Sequence, residues 1–254
     1  MTDAVLLVHG LGGTSYDLGG LPMALQKIGL VVHTLTLPGH GGVPTDLNHV
    51  VMEDWLQAVA DQHAQLLQTH RVVHLVGMCM GALLVCEVAQ QKQASSGKLV
   101  LLAPTLHLDG WGMPWYHVFR RLHYVLPWLR TSFRIKEEHP YGIKNARLRA
   151  IVQKRFERGD SFHYGWMPLQ SIWQLDRLRQ KVMQGLSRVT APTLVMHPRE
   201  DEYASVRSAQ FLCAGLGTDK AQLVILENSY HMVCVDNDRG IVEQQVVEFL
   251  RGSI

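Results

Sequence analysis

The sequence predicts an α/β fold, in which a mostly parallel sheet is flanked by helices and interrupted by one inserted helical segment. Three observations lead to this class. Short apolar, β-branched runs alternate with helical patterns through both ends of the chain. These runs are mostly apolar rather than alternating with polar residues, which is expected of strands covered on both faces. One internal stretch differs sharply from the rest in composition.

The candidate strands are six runs of five or six residues: Ala4–His9, Val31–Leu35, Val72–Val76, Leu99–Ala103, Thr193–His197 and Gln222–Leu226. The candidate helices are Tyr16–Ile28, Met52–Thr69, Gly81–Gln93, Ser205–Gly215 and Asp238–Leu250. The last of them repeats apolar residues at helical spacing. Because strand and helix follow each other in turn, crossover connections and a parallel sheet are expected.

The stretch from His107 to Arg188 is unlike its flanks. It holds 15 of the 24 Lys and Arg residues, but only 6 of the 22 Asp and Glu residues. It also holds 13 of the 19 aromatic residues, including five of the six Trp. We therefore expect residues 1–106 and 189–254 to form the core and residues 107–188 to form an inserted helical cap.

Composition argues against several classes of protein. At 47% hydrophobic and 18% charged residues, the 254-residue chain is typical of a globular domain. No apolar run approaches the ~20 residues of a membrane span. The first strand-like run starts at Ala4, so no signal peptide is expected. The four Cys are scattered, and together these features favour the reducing cytoplasm.

The residues after the third strand carry the clearest chemical signal. Gly77-Met78-Cys79-Met80-Gly81 has the G-x-S-x-G spacing of a nucleophile elbow, with Cys in the place of Ser. Small residues are needed because this tight strand-to-helix turn brings neighbouring elements close together. The start of the following helix favours a thiolate at Cys79. A buried structural Cys is the alternative interpretation.

A glycine-rich loop follows the first strand. Gly10-Leu11-Gly12-Gly13 could bring a backbone amide to a substrate oxygen, and the residue after a nucleophile supplies a second amide. Leu11 and Met80 are therefore the candidate oxyanion-hole donors. A phosphate loop is disfavoured, because neither G-x-G-x-x-G nor a following Lys-Ser/Thr is present.

Two late strand ends offer an acid and a base. Asp201 follows the fifth candidate strand, and His231 is the one histidine after the sixth. A nucleophile requires a base within hydrogen-bond reach and an acid to orient it, and the order nucleophile, acid, base fits this chain. Asp109, after the fourth strand, remains an alternative acid.

Taken together, these pieces resemble the α/β-hydrolases, and most of all their small carboxylesterase and monoglyceride-lipase group. The resemblance rests on Leu7–Gly13, Leu37-Pro38-Gly39-His40-Gly41, the elbow, Pro192–Val195 with Arg199-Glu200-Asp201, and Ser229-Tyr230-His231. It implies a Cys79–Asp201–His231 triad, an oxyanion hole at Leu11 and Met80, and a cap over an acyl pocket. Cys79 departs from the serine of that group, and a Cys elbow resembles dienelactone hydrolases and polyhydroxyalkanoate synthases.

The inserted cap is expected to determine the substrate specificity. Trp111 and Trp115 are candidate pocket residues, although ordinary packing within the cap is an alternative role for its aromatic residues. The basic excess is either a solvated helix face or an attraction for an anionic substrate, an acidic carrier protein or a membrane surface. No nucleic-acid partner is expected. No H-E-x-x-H and no Cys/His cluster is present, so neither a metal nor a cofactor is expected.

The sequence therefore predicts an enzyme that hydrolyses carboxylic esters or thioesters through a covalent acyl-enzyme on Cys79. A thiol nucleophile passes its acyl group on as a thioester, which keeps an acyltransferase or a lactone-opening enzyme open as alternatives. A non-catalytic binding protein of the same fold is the third hypothesis.

Overall fold

The computed structural model describes residues 2–91, 97–114, 124, 127–160 and 162–252. Its strands are β1 (Ala4–Val8), β2 (Val31–Leu35), β3 (Val73–Met78), β4 (Leu99–Leu102), β5 (Arg134–Lys136), β6 (Trp166–Pro168), β7 (Thr193–Pro198) and β8 (Ala221–Leu226). Within these ranges, six of them form one parallel sheet in the order β2-β1-β3-β4-β7-β8. This confirms the predicted fold class and each of the six predicted strands to within two residues at either end.

The central strand β1 is apolar throughout because both of its faces are covered. In β1, Ala4, Leu6 and Val8 enter one hydrophobic core, whereas Val5 and Leu7 enter a second core on the opposite face. Successive side chains of a strand point to opposite faces, so an unbroken apolar run is what two covered faces require.

Helices form a layer on each side of the sheet. Their bounds are α1 (Leu21–Gln26), α2 (Met52–Leu67), α3 (Met80–Gln91), α4 (Pro127–Ser132), α5 (Ala146–Arg158), α6 (Leu169–Met183), α7 (Arg207–Gly215) and α8 (Arg239–Arg251). The helices α2, α3, α6 and α7 bury apolar side chains in the first core, and α1 and α8 do so in the second. No helix of the described ranges is both long and apolar enough to cross a membrane.

The predicted continuous helix Tyr16–Ile28 is wrong over its first part. The chain instead forms a 3-10 turn at Ser15–Leu18 and starts α1 at Leu21. Gly19 between them has a φ of 55°, and a Cβ on it would lie 2.2 Å from the Cys234 carbonyl oxygen. Close approach of another loop therefore sets the helix start, and helical spacing alone does not reveal it.

The segment between β4 and β7 contains α4, α5, α6 and a two-stranded antiparallel sheet of β5 and β6. Some of its Arg and aromatic residues pack against each other within the segment. The guanidinium of Arg130 stacks on Trp173 and that of Arg155 on Phe162, each at 3.9 Å from the ring centre. Since α6 packs on α2 and α3, this segment also contributes to the core of the sheet. The cap boundaries at residues 107 and 188 stay a prediction.

Candidate active site

Cys79 lies at a sharp turn between β3 and α3. It has a φ of 56°, a left-handed backbone conformation that residues other than glycine rarely adopt. The flanking glycines are required by close backbone approach. A Cβ on Gly77 would lie 2.2 Å from the Gly81 carbonyl oxygen, and one on Gly81 would lie 2.2 Å from that of Val8. The Cys79 amide is held by the Leu102 carbonyl at 2.9 Å. This geometry places the thiol at the turn itself, directly before the start of α3.

An acid and a base from later strand ends lie beside one another. The His231 Nδ1 atom is 2.7 Å from Asp201 Oδ2, and both side chains are buried. The other carboxylate oxygen of Asp201 accepts the amides of Tyr203 and Ala204 at 2.8 and 3.1 Å. These bonds set the orientation of the carboxylate, and the carboxylate sets that of the ring.

The alternative acid, Asp109, is engaged elsewhere. Its carboxylate accepts the Ser205 amide at 2.9 Å and pairs with Arg207 at 3.3 Å. Of the two candidate acids, Asp201 is therefore the one whose carboxylate the structure brings to His231.

Electrostatics link Cys79 to this pair. Burial alone would lower the pKa of His231, but the charges of Asp201 and Cys79 hold it well above its ordinary value. Burial alone would raise the pKa of the Cys79 thiol, but the charge of His231 and bonds from Thr105 and Met80 bring it below its ordinary value. The arrangement favours a thiolate facing an imidazolium.

Two neighbours of the pair were not singled out from the sequence. The Thr105 hydroxyl lies 3.8 Å from the Cys79 sulfur and is almost fully buried. The Glu202 carboxyl, which follows Asp201, accepts the Gly142 amide at 2.7 Å, and burial raises its pKa to about 7. Neither residue stands in a recognisable motif, so no local signal could have revealed them.

The glycine-rich loop passes directly against the nucleophile position. A Cβ on Gly10 would lie 3.0 Å from Cys79 Cβ and 3.4 Å from its sulfur. The next residue, Leu11, is buried, and its amide is in no backbone hydrogen bond found among the described residues. Leu11 follows Gly10 and Met80 follows Cys79. Both predicted oxyanion donors are therefore next in sequence to the two residues that approach each other here.

Two buried histidines hold this loop in place. His40 Nε2 accepts the Gly12 amide at 3.0 Å, and His40 Nδ1 lies 3.0 Å from the Pro38 carbonyl. His9 Nε2 accepts the Leu37 amide at 3.2 Å. An acceptor nitrogen must be unprotonated, so both rings are neutral here. Burial agrees with this state, since it lowers the pKa of His9 and lowers that of His40 to about 3.

The predicted role of Trp111 and Trp115 in substrate binding is not tested by the described contacts. The Trp111 side chain is 57% exposed, packs edge-on to Tyr230, and donates from its indole nitrogen to the Glu200 carbonyl at 3.1 Å. Trp115 lies outside the described residues. A substrate-binding role for either Trp stays a prediction, as does docking of an anionic substrate or acidic carrier on the basic segment.

The described ranges contain no group of three or more His, Cys, Asp or Glu side chains arranged to hold a metal ion.

Comparisons with known proteins agree with this architecture. The Hydrolase_4 family (serine aminopeptidase, S33) matches residues 1–238. The chain is 25% identical over 251 residues to a thermostable monoacylglycerol lipase of Bacillus sp. (strain H-257), covering 96% of this chain and 89% of that protein. It is 26% identical over 248 residues to a carboxylesterase of Bacillus subtilis (strain 168), covering 97% and 92%.

Solved structures show the same fold. A monoacylglycerol lipase of Paleococcus ferrophilus superposes with a TM-score of 0.79 at 21% identity, covering 97% of this chain and 93% of that one. A soluble variant of the monoglyceride lipase of Saccharomyces cerevisiae gives a TM-score of 0.81 at 14% identity, covering 98% and 86%.

The chain therefore belongs to the Hydrolase_4 family of α/β-hydrolases, and it is a carboxylesterase- and lipase-like hydrolase. The family description names a serine enzyme, whereas Cys79 occupies the elbow of this chain.

Proposed function

We propose that this protein hydrolyses carboxylic esters or thioesters through a covalent acyl-enzyme on Cys79. The single observation that carries the proposal is the placement of a thiol, at a strained turn before a helix, next to a buried His231–Asp201 pair. A non-catalytic relative of the same fold has no need for a base oriented by a buried acid beside that thiol.

In the first half-reaction, the Cys79 thiolate attacks the carbonyl carbon and forms a C–S bond. The carbonyl electron pair moves onto oxygen, and the Leu11 and Met80 amides stabilise the resulting oxyanion. Collapse of the tetrahedral intermediate breaks the bond to the leaving group, which takes its proton from the His231 imidazolium. The product is a thioester on Cys79 and a free alcohol or thiol.

In the second half-reaction, the now neutral His231 removes a proton from water as the water oxygen attacks the thioester carbon. Collapse expels the Cys79 thiolate and releases the carboxylic acid, so the thiolate–imidazolium pair is restored. Asp201 keeps the imidazole oriented and stabilises its charged form throughout. In this mechanism His231 does most of its work after acylation, because the lowered pKa of Cys79 favours the thiolate before the substrate binds.

Monoacylglycerol esters and simple carboxylic esters are the substrate classes suggested by the names of the relatives. Thioesters join them because a thiolate exchanges readily with another thiol ester. A second candidate, acyl transfer, is favoured by the sulfur itself: a thioester intermediate can pass its acyl group to an alcohol as well as to water.

The test uses p-nitrophenyl butyrate and a butyryl thioester, with intact mass measured during turnover. We expect a butyryl adduct on the wild-type protein and on Cys213→Ala, which removes another incompletely buried thiol, but none on Cys79→Ala. Full turnover by Cys79→Ala would overturn the proposal.

Adding an alcohol to the same reaction separates the two candidates, since hydrolysis yields the acid and transfer yields the new ester. A Cys79→Ser variant adds a further comparison. Loss of activity in this variant would make the thiol intrinsic to the mechanism, whereas a strong gain in ester turnover would indicate a site shaped for serine.

A further inference from the structure

A chain of buried polar groups lies beside the active site and takes no part in the proposed chemistry. It consists of Asp17, His163, Glu137 and Tyr203, and it ends on the ring of His231. Two of these residues come from the segment between β4 and β7, and two come from loops of the core.

The end nearest the active site is Tyr203. Its ring is edge-on to the His231 imidazole, with centroids 5.0 Å apart and an interplanar angle of 81°. Its own amide donates to Asp201 at 2.8 Å. Tyr203 thus contacts His231 with its ring and Asp201 with its backbone amide. Its hydroxyl takes part in neither contact.

The anchor of that hydroxyl is Glu137. The Tyr203 hydroxyl donates to Glu137 Oε2 at 3.0 Å. Glu137 directly follows β5, and its amide donates to the Gly165 carbonyl at 3.0 Å, next to β6. The small two-stranded sheet therefore supports the carboxylate from behind, and a rigid support is what a positioning contact needs.

His163 completes the chain on the side of the glycine-rich loop. Its Nε2 atom is 3.9 Å from Glu137 Oε1, and its Nδ1 atom is 3.2 Å from Asp17 Oδ2. Burial alone would lower the pKa of His163, but the two carboxylates raise it to about 10, so the ring is a cation at neutral pH. The Asp17 carboxylate lies directly over Gly13, where a Cβ would collide with it.

We infer that Tyr203 is a positioning residue that fixes the orientation of the His231 imidazole, and that it is itself held by Glu137 and the His163–Asp17 pair. Packing by the Tyr203 ring restricts rotation of the imidazole about its side-chain torsions. The one hydrogen bond to Asp201 leaves this rotation partly free. The acidic or basic groups that act on His231 include Asp201, Cys79, Glu202, Glu137 and His197.

The inference rests on the proposed function, but its test does not depend on turnover. The readout is the rate of Cys79 alkylation by iodoacetamide across a pH series, followed by mass of the Cys79 peptide so that other thiols do not contribute. This profile reports the Cys79–His231 pair, because only the thiolate reacts. Tyr203→Phe is the main variant, since it keeps the ring and the charge of the site and removes only the bond to Glu137.

We expect Tyr203→Phe to raise the apparent pKa of Cys79 by about one unit, because a mobile imidazolium stabilises the thiolate less. Tyr203→Leu, which also removes the ring, should raise it further. Combining Tyr203→Phe with Glu137→Ala should add less than the two single shifts together, since each single variant already removes the Tyr203–Glu137 hydrogen bond. Where turnover is measured, Tyr203→Phe should lower kcat while leaving KM within about twofold.

The matched control is Tyr230→Phe. Tyr230 precedes His231 in the chain, but its ring packs on Trp111, outside the buried chain of polar groups. Alkylation profiles of Tyr203→Phe and Tyr203→Leu that coincide with the wild type would overturn the inference, as would full additivity with Glu137→Ala. By contrast, wild-type turnover by Cys79→Ala would overturn the proposed function alone, so the two failures are distinguishable.

Discussion

His40 should make the stability of this protein sensitive to acid, through the loop that it holds. Its pKa is lowered from 6.5 to about 3, first because the ring is buried, and its Nε2 atom accepts the Gly12 amide. Below pH 6.5 the unfolded chain binds a proton at this position, whereas the folded protein does not until about pH 3. The stabilisation is therefore complete above pH 6.5 and is lost as the pH falls.

The magnitude follows from the two pKa values. At pH 5, the unfolded state is favoured by protonation of this one side chain by about 2 kcal/mol, relative to neutral pH. Protonation in the folded state would also remove the acceptor for Gly12, so the loop beside the nucleophile position would loosen together with the fold.

The assay is urea unfolding near pH 7.5 and near pH 5, for the wild type and for His40→Gln, which cannot take up a proton. The wild type should lose about 2 kcal/mol more than His40→Gln between the two conditions. The exposed His49 provides a control, because His49→Gln should retain the wild-type difference. Equal losses in the wild type and His40→Gln would refute the reasoning.

Three further predictions follow from other contacts. Asp201→Asn should lower kcat by a factor of about 10³, because the imidazolium loses its charge partner, while Asp109→Asn should stay near wild type; a reversed order in steady-state assays would contradict the assignment. Thr105→Val should slow iodoacetamide alkylation of the Cys79 thiol near neutral pH, whereas Thr105→Ser, which keeps the hydroxyl, should not. A wild-type alkylation rate in Thr105→Val would show that the hydroxyl does not stabilise the thiolate. Lys98→Met should cost about 2 kcal/mol in urea unfolding, because the ammonium binds the carbonyls of Phe249 and Gly252 at the end of α8; an equal effect of exposed Lys27→Met would argue against this cause.

Local patterns were enough to predict the elbow. The spacing of Gly77 and Gly81 around Cys79, after an apolar run and before a helical one, predicts a strand–turn–helix unit, and the structure has this unit. The prediction succeeds because the two glycines flank Cys79 within five consecutive residues, although at Gly81 it is the Val8 carbonyl of the neighbouring strand that excludes a side chain.

The choice of acid could not be made in the same way. Asp201 and Asp109 both follow strands of the sheet, so both were candidates. The structure separates them because Arg207 and the Ser205 amide engage Asp109, whereas Asp201 meets His231. Such pairings depend on how loops from different strands pack together, and no local spacing encodes them.

By itself, the sequence determined the parallel-sheet class, the alternation of strands and helices along both ends of the chain, and the positions after strand ends of the candidate thiol, the candidate base and two candidate acids. It did so because backbone periodicity and turn-forming glycines can be recognised from a few neighbouring residues. The tertiary structure alone decided that His40 holds the glycine-rich loop, that Thr105 meets the thiol, and that Tyr203 packs on the base. These contacts join residues 26 to 28 positions apart within the chain in each case, and they form because the strand order brings their loops to one edge of the sheet.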